Sequence, residues 1–74
     1  MPKTLLTSLP LTLDDGRLQR TVVLDEYPDG MLHVYVAGTA NGATSKCWLR
    51  LYPTLREAVV NFNMRLHAPE YYLQ

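Results

Sequence analysis

Apolar and polar residues alternate in short runs as far as residue 52, and then the period changes. The alternating segments, residues 9–13, 17–26, 31–39 and 43–52, are separated by Asp14-Asp15-Gly16, Tyr27-Pro28-Asp29-Gly30 and Asn41-Gly42. Turn formers between alternating runs mark β-hairpins. From Thr54 onward Leu55, Ala58, Val59, Phe62 and Leu66 recur at helical spacing. Thr54-Leu55-Arg56-Glu57 reads as a capping box, and Pro69 stops a helix that ends near His67. The pattern predicts an α+β domain: a four-stranded antiparallel meander in the order 1-2-3-4, with one C-terminal α-helix packed on one face. It spans residues 1–74, with 69–74 as a C-terminal tail that is able to fold over the free face.

The turns suggest registers. A two-residue turn at Asp15-Gly16 pairs Leu13 with Leu18, Leu11 with Arg20 and Leu9 with Val22, on an edge strand that tolerates Pro10. A three-residue Pro28-Asp29-Gly30 loop, with glycine left-handed, pairs Leu24 with Val34, Val22 with Val36, Asp25 with His33 and Val23 with Tyr35. A two-residue loop there sets Leu24 against His33 and spoils the sorting. A type I′ turn at Asn41-Gly42 pairs Val36 with Cys47, Val34 with Leu49 and Leu32 with Leu51. The alternate positions then pair Tyr35 with Trp48, His33 with Arg50 and Met31 with Tyr52.

These registers define two faces. The expected core face holds Leu9, Leu11, Leu13, Leu18, Val22, Leu24, Leu32, Val34, Val36, Cys47, Leu49 and Leu51, covered by the helix. Arg20 is its one misfit, placed where its guanidinium reaches the helix's terminal carbonyls. The free face gathers Tyr27, Met31, His33, Tyr35, Trp48, Arg50 and Tyr52. Tyr, Trp, Met and Arg are the types enriched at protein interfaces, so this face is the expected partner-binding surface. Cross-strand aromatic pairs also stabilise a sheet for its own sake. Val60 and Met64, opposite the core stripe of the helix, form a secondary contact ridge.

Composition narrows the function classes. The chain has 74 residues, so it buries only roughly 60% of its unfolded surface, and such a domain usually needs help. With a single cysteine, Cys47, it has no internal disulfide; self-association as a homo-oligomer, or an efficient core, is the remaining aid. Seven basic and seven acidic residues give no net charge. That is unlike a general nucleic-acid binder or an acidic DNA mimic, and suits a protein partner. No stretch approaches the apolar length of a membrane span, and the N-terminus lacks a signal peptide's core, so the expected location is cytoplasmic.

Catalytic signals are absent from the pattern. Asp25, His33 and Arg50 form a polar row, but no nucleophile shares it and a flat sheet offers no pocket. His33, His67 and Cys47 are a poor metal set, and the glycines match no phosphate loop. No cofactor, metal or enzymatic activity is expected. The leading expectation is a non-enzymatic inhibitor or adaptor that binds another protein. The alternative is a single-stranded nucleic-acid module on the same face, with Tyr35 and Trp48 stacking bases and Arg50 and Lys46 meeting phosphates.

The segments His33-Val34-Tyr35, Asn41-Gly42, Thr54-Leu55-Arg56-Glu57-Ala58 and Tyr71-Tyr72 resemble the end of the WGR domain over half the chain. Ala37-Gly38-Thr39 stands where the Trp-Gly-Arg triplet is expected, and no function or site residue is carried over. In size and neutrality the chain is similar to phage and mobile-element proteins that block a host machine, CRISPR inhibitors among them. That is a likeness of character and not of sequence.

Overall fold

A computed structural model describes residues 2–13 and 16–67, without the side chains of Leu13 and Cys47. The fold is α+β: an antiparallel sheet with one C-terminal helix. The strands are β1 (Lys3–Thr7), β2 (Leu11–Leu13), β3 (Leu18–Glu26), β4 (Leu32–Ala40) and β5 (Ala43–Tyr52), followed by α1 (Leu55–His67). The proposed tail, 69–74, and the Asp15 position of the first turn lie outside the described residues.

The four-strand meander needs correction at its N-terminal edge. Strand order is β1-β3-β4-β5, and β2 also pairs with β3. β1 and β2 thus lie end to end along one side of β3. β1 runs from Lys3 opposite Glu26 to Thr7 opposite Val23, and β2 places Leu11 opposite Arg20 and Leu13 opposite Leu18, as expected. The expected pairing of Leu9 with Val22 fails. Ser8 takes that place, its N–H donating to the Val22 carbonyl at 2.9 Å and its hydroxyl accepting from the Val22 N–H at 2.8 Å. Pro10 has no N–H to give a ladder. The chain kinks there, and Leu9 is 90% exposed instead of joining the core.

The β3–β4 hairpin follows its turn chemistry. Gly30 is left-handed at φ 88°, its N–H donates to the Tyr27 carbonyl at 2.9 Å, and the Asp29 carboxylate accepts from the Met31 N–H at 2.9 Å. Leu24 meets Val34, Val22 meets Val36, Asp25 meets His33 and Val23 meets Tyr35, all as the three-residue loop requires. Met31 stays in the loop, and Leu32, not Met31, is paired with Tyr52.

The β4–β5 hairpin agrees with its turn only near the turn. Asn41 (φ 53°) and Gly42 (φ 79°) take the two left-handed positions of a type I′ turn. The ladder runs as expected from Ala40 opposite Ala43 to Ala37 opposite Lys46, and then shifts. Val36 faces Trp48, Val34 faces Arg50 and Leu32 faces Tyr52, while Tyr35 faces Leu49 and His33 faces Leu51. Cys47 is the extra residue of a β-bulge. One extra residue reverses every later side chain of its strand.

The core is therefore assembled differently at β5. Val22, Leu24, Leu32, Val34, Val36, Ala58 and Phe62 form the buried cluster, with Leu5, Trp48, Tyr52 and Val59 packed against it. Leu49 and Leu51, expected inside, are 38% and 51% exposed. The exchange trades two leucines for a Trp and a Tyr, which bring more contact area to the helix. Half of the capping box forms at the helix start: the Thr54 hydroxyl accepts from the Glu57 N–H at 3.3 Å, and the Glu57 carboxylate accepts from that hydroxyl at 2.9 Å rather than from the Thr54 N–H. Of its apolar stripe, Ala58 and Phe62 are buried, whereas Leu55 and Leu66 remain exposed.

Candidate functional site

The sheet face away from the helix is built from alternate residues of β1, β3, β4 and β5. One row across it reads Thr4, Asp25, His33, Leu51, and the next Thr7, Val23, Tyr35, Leu49. Thr21, Ala37 and Lys46 make a third. Tyr27 leaves the end of β3 and stacks on His33, ring centroids 3.7 Å apart and 22° from parallel. The Lys46 ammonium sits 4.4 Å over the Tyr35 ring. Beneath these rings Val23 and Asp25 are buried, at 8% and 5% exposure.

The expected partner-binding set is thus divided by the bulge. Tyr27, His33 and Tyr35 stay together on the open face, joined by Leu49, Leu51 and Lys46. Trp48, Arg50 and Tyr52 go to the helix side. Trp48 is partly buried there: the Arg65 guanidinium of the last helical turn lies 3.5 Å from its ring centroid, and that of Arg50 lies 5.1 Å away. These are cation–π distances. The ring ties α1 to β5 instead of presenting itself to a ligand. Val60 and Met64 are each 52% exposed on the outer side of α1, as the helical pattern requires.

The polar row is also rearranged. Arg50 leaves it, its guanidinium donating to the Leu49 carbonyl at 2.9 Å. Asp25 is buried and accepts a 2.8 Å hydrogen bond from the Thr4 hydroxyl, which pins β1 to β3. Sequence reasoning missed this partner, because Thr4 lay outside the expected strands. A buried carboxylate needs such donors. The His33 Nδ1 is buried under the stacked Tyr27.

Among the described residues, Tyr35 has its titration moved by this packing. Burial pushes its hydroxyl above the ordinary value of 10.0, and the charge of Asp25, a hydrogen bond to it and the neighbouring Tyr27 add to the shift. Because the folded-state value is raised, the associated stability is complete below the ordinary tyrosine range and is lost as pH rises through the folded value. In an ultraviolet titration of the native chain, the phenol that Tyr35→Phe removes should ionise above the ordinary tyrosine range. A titration curve unchanged by Tyr35→Phe would contradict the placement.

Other features offer less chemistry. Among the described residues no group of three or more His, Cys, Asp or Glu is placed to hold a metal, and no helix is long and apolar enough to cross a membrane. A cleft of about 170 Å³ lies between the Ser8–Pro10 kink and the end of α1, lined by Leu9, Pro10, Leu11, Arg20 and Leu66. Arg20, expected to reach the helix carbonyls, instead donates to the Gln19 carbonyl of its own strand at 3.1 Å.

No family model matches this chain, the WGR family included, and no match is found among curated proteins or solved structures.

Proposed function

We propose that the chain is a non-enzymatic protein-binding module, an inhibitor or adaptor, that contacts its partner through the open sheet face. The observation that carries this reading is the exposure of Leu49 and Leu51 beside Tyr35 and the Tyr27–His33 stack. Adjacent apolar and aromatic side chains on a surface usually mark a contact site. The carboxylate beneath them is already engaged, Asp25 accepting from the Thr4 hydroxyl. What the face offers is shape and apolar area, which suits a protein surface better than a reacting small molecule.

The nucleic-acid reading is weaker than the sequence suggests. Trp48 and Arg50 lie on the helix side, which leaves Tyr35 to stack a base and Lys46, already over Tyr35, to meet a phosphate. Stacking platforms need aromatic faces free for successive bases.

Leu51→Asp tests the protein-binding reading. The residue is half exposed, so circular dichroism should stay native. The partner captured from the native host by the unaltered chain should bind on the order of 30-fold more weakly, the loss expected at an interface hot spot. Undiminished binding by a folded Leu51→Asp chain would overturn the proposal.

A further inference from the structure

Among the described residues β5 is the last strand of the sheet, bonded to β4 on one side only. Its ten residues make it the longest strand. A free edge presents a row of backbone donors and acceptors to any extended chain that reaches it. The opposite edge is poorly suited to this, since it breaks between Thr7 and Leu11 and contains Pro10.

The charge of this edge is one-sided. Between Ala43 and Arg56 the chain carries Lys46, Arg50 and Arg56 and no Asp or Glu, within a chain of zero net charge. Beyond the bulge the side chains alternate, with Leu49 and Leu51 on the open face and Arg50 on the helix side. A strand laid along β5 places its own residues opposite these on the same faces.

We propose that β5 takes up an extended acidic segment of a partner protein as an added strand. The segment has an apolar–acidic–apolar alternation: its carboxylate faces Arg50, and its apolar neighbours face Leu49 and Leu51. This rests on the protein-binding reading and specifies how the partner is held. Charge complementarity selects the occupant. A second copy of this chain fits less well, because β5 has no acid to meet Arg50, and antiparallel self-pairing centred there sets two guanidinium groups opposite one another.

Synthetic peptides test the assignment, with Trp48, the sole tryptophan, as the fluorescent reporter on the intact chain. A peptide alternating leucine and glutamate should bind, and bind less well as salt rises. The same peptide with lysine for glutamate should not. N-methylation of alternate amides, which removes strand donors, should abolish binding. Arg50→Glu should weaken the glutamate peptide by on the order of tenfold and admit the lysine peptide. Arg50→Gln should remove the preference even if the charge reversal perturbs folding. No binding of the glutamate peptide, equal binding of both peptides, or indifference to N-methylation would each overturn the inference. A host partner lost with Leu51→Asp but retained by Arg50→Glu, and not displaced by the glutamate peptide, would keep the protein-binding reading and remove this one. Sedimentation showing a dimer that the peptide does not dissociate would assign the edge to a second copy and remove it too.

Discussion

Phe62→Ala is expected to lower the melting temperature by about 12–40 °C, and to leave much of the chain unfolded at 37 °C. Phe62 is 4% exposed and lies in the buried cluster with Val22, Leu24, Val34 and Val36. The helix contributes only Ala58 and Phe62 as buried residues, and alanine at 58 brings little side-chain area. Removing a buried phenylalanine costs about 3–5 kcal/mol through lost transfer energy and the cavity left behind. A domain of this size has on the order of 4–11 kcal/mol to lose. At about 4–8 °C per kcal/mol, the shift is large. Thermal denaturation followed by circular dichroism measures it. A drop of under about 5 °C would mean that α1 is not what closes the core.

The second large effect concerns Trp48. Trp48→Ala should destabilise the fold by about 2–4 kcal/mol, toward the low side of the range for buried aromatics because the ring is only partly buried. The ring packs on the core cluster and carries two guanidinium groups, so its removal loosens the last turn of α1 as well as β5. The expected signs are a lower urea midpoint and faster amide exchange near Arg65. The opposite outcome, an unchanged urea midpoint with partner binding abolished, is what a ring displayed on the open face would give. The same substitution therefore separates the two registers of β5 in one measurement.

That contrast shows where the sequence was legible. The helix was readable because two independent signals, the Thr54–Glu57 capping box and the Ala58–Phe62 spacing, point to the same boundaries. The β3–β4 register was readable because Val22, Leu24, Val34 and Val36 sort onto one face only with a three-residue loop. The β4–β5 register was ambiguous beyond Lys46. Trp48 and Tyr52 are as apolar as Leu49 and Leu51, so hydrophobic sorting accepts either set in the core, and the turn alone cannot report a bulge five residues away. A count of aromatic area against the helix, together with Arg65 at the spacing needed to cover a ring, favours the arrangement observed.

The N-terminal edge was lost for a different reason. Thr4, Leu5, Leu6 and Thr7 do not alternate, because the ladder shifts register between Thr4 and Leu6. A period-two search passes over such a strand. The buried Asp25 was then read as one end of a surface ion-pair row, when it is a buried carboxylate that accepts from Thr4. Of the candidate face, the β3 and β4 residues were placed correctly and the β5 residues were not, so the face has fewer aromatics and more leucine than expected.

The extra residue in β5 also bears on how this chain can diverge. Lys46 already faces the open side and Trp48 the helix side, so a lineage without position 47 joins these two directly and retains both faces. Losing a residue inside a strand normally turns the remainder over and is purged by selection. Deletion of Cys47 is therefore expected to keep both faces of the strand as they are, where a deletion elsewhere in β5 turns the remainder over.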